Sequence, residues 1–200
     1  SLLWTFSHKV LIIVGFIIIS ILSIIAATDL KINGYLLDNL PREHELVQEF
    51  EFFDQEFGGS KPLEIFIKAG DSAESLLELD VLRELDKLEQ FVQEKYQAGA
   101  VISPLSLVKV LNQAQNAGNI KAFALPSQGQ FQRMQPYINQ ALEQSDYQLI
   151  SSDRKQGRMS SRTADIGSLK SDAINKEFFE FIEAEINPNL LEVRLTGTSN

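Results

Sequence analysis

The 200-residue chain has no cysteine, two histidines and one tryptophan. Without cysteine there is no disulfide framework, thiolate metal site or Cys nucleophile. His8 and His44 are too few and too far apart for a histidine-rich metal site, and no metal ligand set is assigned. Gly (11) and Pro (6) are too sparse for a collagen-like or low-complexity chain. Positive charge is also short: 18 Lys and Arg against 27 Asp and Glu, net -9. A duplex nucleic-acid binder needs a basic face to neutralise phosphates, so nucleic acid is excluded as a partner.

Charge and apolar residues are unevenly distributed. Val10 to Ala27 reads VLIIVGFIIISILSIIAA, uncharged, with only Gly15, Ser20 and Ser23 as mild interruptions. At helical rise this run spans roughly 27 Å, close to a hydrocarbon core. Trp4 and Phe6 sit where an interfacial aromatic belt would lie, and Lys9 marks the upstream edge. A secretory signal has a shorter apolar core and a better cleavage site than Ala26-Ala27-Thr28. A core helix apolar on every side, about five turns long, is hard to hide in a domain of this size. The expectation is a transmembrane helix within 1–28. All 27 acidic residues follow it, with 17 of the basic ones. Lys9 upstream and Lys31 and Arg42 downstream leave the orientation undecided, while the acidic remainder permits an extracytoplasmic location for residues 29–200. The chain opens on Ser1 rather than Met, as expected of a piece of a longer protein.

Residues 29–61 read as a connector and an amphipathic helix. Asn33-Gly34 signals a turn and Pro41 a helix start. Leu46, Phe50, Phe53 and Phe57 repeat at helical spacing, with Glu43, Glu45, Glu49, Glu51 and Glu56 mainly elsewhere on the circumference. Gly58-Gly59 ends this helix.

Residues 62–200 read as an α+β domain. Leu63, Ile65 and Ile67 alternate with Glu64, Phe66 and Lys68, predicting a half-buried strand. Ser75-x-x-Glu78 and Asp71-x-x-Glu74 compete to cap the next helix. Its stripe is Leu79, Leu82, Leu85, Leu88, Val92 and Tyr96, running to about Gln97 with Gly99 at the C-cap. Ala100–Ser103 predicts a short strand, favouring a right-handed crossover between neighbouring parallel strands. A second strand–helix–strand unit follows: Gly157 to Asp165, a helix with Ile174, Phe178, Phe181 or Ile182, and Ile186, then Leu191, Val193 and Leu195. The βαβ-βαβ order is ferredoxin-like. Between the units, about 105–150, the Gln- and Asn-rich stretch predicts a helical insertion, through Leu107, Val108, Leu111, Phe131, Met134 and Ile138.

No constellation carries catalysis. Gly58-Gly59 lacks the spacing and lysine of a phosphate loop. Glu183 with Glu185, and Asp80 with Glu84, are expected on exposed helix faces. Arg154, Lys155, Arg158 and Arg162 are the densest basic cluster. Pairing with carboxylates is their expected fate, and an anion or lipid headgroup site the alternative. The segment reads as non-enzymatic, with no catalytic, cofactor or metal residue.

Leu36-Leu37-Asp38-Asn39-Leu40-Pro41, Phe53 through Gly59, Pro62-Leu63-Glu64, Arg158 through Ser168 and Leu195-Thr196-Gly197-Thr198 follow the membrane helix in a distinctive order. In this the chain resembles the resistance–nodulation–division (RND) superfamily, in particular the MMPL-type and Patched-like, sterol-sensing-domain-like permeases of bacteria. The resemblance implies one transmembrane helix plus its periplasmic porter loop, in a proton-driven exporter of hydrophobic or amphiphilic cargo such as lipids or drugs. It implies the bacterial inner membrane, with 29–200 periplasmic. Implied partners are the bilayer, the remaining helices and second porter loop of the same longer chain, and the cargo; a homo-oligomer is compatible. LLDNLP and LTGT are more similar to the second half of such permeases. The proton-relay residues of the family lie outside this segment. Phe66, Phe123, Phe131 and Met134 are the candidate cargo contacts, against core packing as the alternative for each. A rival reading is the ectodomain of a membrane-anchored sensor or chemoreceptor, and a third is an anchored scaffold.

Overall fold

The computed structural model describes residues 8–28, 33–144 and 149–198. Trp4, Phe6, Lys31 and Gln148 lie outside them. The chain divides into two units, 1–34 and 35–200.

The first unit contains helix α1, Lys9–Thr28. Over Lys9–Ala27 its mean hydropathy is 3.1 and none of it is buried within the protein. This helix is long and apolar enough to cross a membrane.

The second unit begins with the turn at Tyr35 and helix α2, Glu45–Glu56. His44 caps α2, its Nδ1 accepting the Leu46 amide at 3.2 Å. Strand β1, Lys61–Ala69, follows. Helix α3 covers Leu79–Lys95, α4 Pro104–Gln115 and α5 Gln128–Gln144. Strand β2 covers Gln156–Thr163, helix α6 Ser168–Glu185 and strand β3 Leu191–Thr198.

The sheet has three strands in the order β2-β1-β3, with both pairings antiparallel. Ile65 faces Met159 on one side and Leu195 on the other. The terminal strand therefore joins the 61–69 strand in one sheet. The expected neighbouring parallel strands are not formed. Ala100–Ser103 contributes only an isolated antiparallel bridge, Ile102 to Ser160. The reason is local. The Ser103 hydroxyl accepts the Leu105 and Ser106 amides, the Ser106 hydroxyl accepts the Ser103 amide, and Pro104 sits in the first turn. This capping box starts α4 before a strand can lengthen.

One contiguous core fills the space between the helices and one face of the sheet. Leu63, Ile65, Ile67 and Met159 meet Leu82, Leu85, Leu88 and Val92 of α3, and Phe178 of α6. The α3 stripe is buried as its period predicts. Leu105, Val108, Phe131, Met134 and Ile138 belong to the same core. The helices of 105–150 are thus part of the domain's interior rather than an appendage to it. At the end of α3, Gln97 takes the left-handed conformation (φ 50°) expected of Gly99. Gly99 instead lies against Gly58: a Cβ on Gly58 would stand 2.9 Å from the Gly99 Cα.

Candidate functional site: the open sheet face and the α2 ridge

A strand places successive side chains on opposite faces. With Leu63, Ile65 and Ile67 turned to the core, Glu64, Phe66 and Lys68 occupy the other face, where all three are half-buried. Phe66 pairs across the sheet with Arg158 on β2 and with Arg194 on β3. The resulting row is Arg158–Phe66–Arg194, with both arginines exposed. In the next row Lys68 Nζ donates to Glu192 Oε1 at 2.7 Å, and Lys68 draws the Glu192 carboxyl below its usual range. On the other side the Ser160 hydroxyl donates to Glu64 Oε2 at 2.7 Å.

The expected pairing of the basic cluster is not what forms. Arg154 donates to Asn139 Oδ1 at 2.8 Å. Among the described residues Arg158 and Arg162 make no ion pair, and Arg194 reaches Glu192 only at 3.9 Å. The face therefore carries more free cationic groups than free carboxylates on a protein of net charge -9. Its Arg162 end opens into a groove of about 340 Å³ lined by Phe57, Pro62, Ile102 and Arg162.

The second surface is on α2. Its only fully buried side chain is Val47, while Leu46, Phe53 and Phe57 are 54%, 53% and 62% exposed. Leu46, Phe53 and Phe57 of the apolar repeat predicted for this helix thus lie toward solvent, while Phe50 is half-buried. Phe52 joins it: the Phe52 and Phe53 rings meet edge-on at 6.0 Å and Phe53 and Phe57 lie 5.1 Å apart.

Carboxylates place α2. Asp54 accepts the Ser60 amide at 2.9 Å and the Asp165 amide at 3.0 Å. Asp165 forms an ion pair with Lys61 at 2.7 Å and accepts the Leu36 amide at 2.6 Å. Burial alone would raise the Asp165 pKa, but Lys61 and the amides of Leu36 and Gly167 overcome it and hold the carboxyl below its usual range. These groups border a groove of about 430 Å³ lined by Val47, Phe50, Asp54 and Asp165.

Two further carboxylates are buried on α3. Glu84 was expected on an exposed face with Asp80; instead it is buried, and its Oε2 accepts the Asn187 amide at 3.0 Å while Lys87 donates to Oε1 at 2.8 Å. Asp80 remains exposed and pairs with Arg83. Glu89 accepts the Ser103 hydroxyl and, at 2.7 Å, the Lys109 ammonium. Burial would lower the Lys109 pKa, but bonds and charge from Asp86 and Glu89 raise it. These groups fasten α4 and the segment after α6 to α3. Among the described residues no fully buried side-chain nitrogen or oxygen lacks a partner.

The four candidate cargo contacts are not brought together. Phe66 is half-buried on the open sheet face, and Phe123 is 48% exposed beside the 3-10 turn Ile120–Ala122. Met134 is wholly buried in the core. Phe131 is nearly so, its edge lining a polar groove of about 680 Å³ with Arg83, Gln132, Gln135 and Arg154. Sequence reasoning did not single out Arg194. Its signal was present, since it alternates with Val193 and Leu195 in the last strand, but its place beside Phe66 depends on the sheet order.

Compared with known proteins, the chain matches no protein-family model and no curated protein.

Proposed function

We propose that this chain is the extracytoplasmic porter segment of a proton-driven membrane transporter, an RND-superfamily permease of the MMPL type, exporting hydrophobic or amphiphilic cargo. The observation that carries the reading is the order of parts. A helix of membrane-crossing length and composition precedes an α+β unit whose strands run β3-β1-β2, all antiparallel. The Ile102–Ser160 bridge sits beside β2, where a fourth strand of a ferredoxin-like sheet would lie, and α3 and α6 follow β1 and β2 as its two crossover helices. A porter binds its cargo weakly and reversibly, which adaptable apolar surface serves better than a polar catalytic pocket. Phe123, 48% exposed beside the 3-10 turn, is such surface. The location that goes with this reading is the bacterial inner membrane, with the 35–200 unit periplasmic and no catalytic role.

The experiment is expression of the complete reading frame in a strain lacking its own exporters. Efflux of a lipophilic dye should be abolished by a protonophore. A reading frame encoding one further apolar span and a charged helical linker would replace the exporter by a sensor, and dye efflux indifferent to the proton gradient would remove the proton-driven mechanism.

A further inference from the structure

We propose that the α2 ridge of one chain docks on the open sheet face of a second copy of the same chain. Each surface lacks what the other has. With successive residues about 100° apart around a helix, Glu45, Leu46, Glu49, Phe52, Phe53, Glu56 and Phe57 share one arc of α2, opposite Val47 and Asp54. Leu46 and the three phenylalanines are each more than half exposed, with three glutamates set among them. The open sheet face presents the converse: an aromatic ring, Phe66, between Arg158 and Arg194, with Arg162 further along β2. A sheet with one bare face and a helix with one bare apolar arc are the missing halves of an ordinary layered packing. Sizes agree: twelve residues of α2 make roughly 18 Å of helix, and eight-residue strands run roughly 26 Å.

Within one chain the two surfaces touch only at one edge, where Phe57 borders the groove at the Arg162 end of the sheet face. Asp54 grips the Ser60 and Asp165 amides, and Val47 is buried, so α2 is seated by its opposite side close to where β1 begins and β2 ends. Charge selects the occupant. Glutamates in the arc oppose its immersion in an anionic lipid surface, whereas three arginines on the sheet face attract them. Every copy carries both surfaces, so a two-fold pair makes the contact twice.

The chain has no cysteine, so introduced thiols report cleanly. Full chains carrying Glu49→Cys and Thr196→Cys are prepared separately, reconstituted together in zwitterionic lipid and mildly oxidised. The expected result is a 49–196 adduct several-fold above that from Glu49→Cys with Asp172→Cys, an exposed α6 position. Arg158→Glu with Arg194→Glu on the Thr196→Cys chain should abolish the adduct. Adding Glu45→Lys and Glu56→Lys to the Glu49→Cys chain should restore it. Equal yield from the Asp172→Cys control, or a yield indifferent to charge reversal, would overturn the proposal. So would quenching of a fluorophore at position 49 by lipid-borne nitroxide with no adduct formed, which would assign the ridge to the bilayer.

Discussion

Lys61 and Asp165 meet at 2.7 Å with side chains only 10% and 7% exposed, joining the first residue of β1 to the turn that leads into α6. Around this pair the Leu36 and Gly167 amides complete the carboxylate's shell, and Asp54 holds the Asp165 amide from behind. Because the folded state holds the Asp165 carboxyl below its ordinary range, the unfolded chain takes up the proton first as pH falls. The stabilisation is complete above the unfolded carboxylate pKa and disappears as pH drops through the lower folded value. The midpoint of urea unfolding should therefore fall in the acid range. Asp165→Asn should be less stable at neutral pH and show a shallower acid limb. An identical acid limb in the variant would remove Asp165 from this role.

Glu89 is 3% exposed and depends on Lys109 for charge neutralisation. Lys109→Met leaves that carboxylate buried without its cation and should cost about 3 kcal/mol. Replacing Glu89 by Leu in the same chain should recover part of the loss, a coupling that a double-mutant cycle of denaturant midpoints measures. Strict additivity would show that the pair does not act as a unit.

Gly59 has φ 119°, and a Cβ there would stand 2.2 Å from the Thr163 carbonyl carbon. Gly59→Ala must therefore displace the end of β2 as well as strain its own backbone, with an expected loss of at least about 2 kcal/mol. Gly118, also at positive φ but with open space around it, is the control: Gly118→Ala should cost less. Equal thermal shifts for the two would refute the close-approach argument.

Leu85 and Met134 are both wholly buried, one on α3 and one on α5. Leu85→Asp inserts an unpaired charge and should cost on the order of 3 kcal/mol or more. Met134→Ala opens a cavity worth about 3 kcal/mol. A large Met134 effect would show that the 105–150 helices contribute to the stability of the whole unit. A shift confined to local proteolysis would instead make them a separately melting element.

Ile120 is 81% exposed. Under the proposed topology, Ile120→Cys in the cysteine-free chain should react with an impermeant maleimide in intact spheroplasts. Labelling seen only after lysis would place this unit on the cytoplasmic side.

Much of this fold was legible in the sequence because period and burial coincide there. Leu82, Leu85, Leu88 and Val92 recur at helical spacing and are all wholly buried; Leu63, Ile65 and Ile67 alternate and face the core. Legibility ended where partners decide. The α2 repeat announces a helix but not what covers it, and within its own unit Val47 is the residue buried. Glu84 and Glu89 look like surface charges until Asn187, Ser103 and Lys109, distant in sequence, arrive as partners. Ala100–Ser103 has strand-like composition, but the Ser103 cap overrules it. The Arg158–Phe66–Arg194 row needs the strand order, which no local pattern encodes.

The bond from the Leu36 amide to Asp165 has a mechanical consequence. A pull arriving along the backbone from residues before Leu36 meets the Asp165 carboxylate, and behind it Lys61, before it can reach α2. The load passes to the junction of β1 and β2, bypassing the helix that comes next in the chain. Asp54 in turn holds α2 to that same junction. The turn at Tyr35–Leu36, α2 and the strand ends are therefore clasped together, and peeling α2 away first requires opening the clasp.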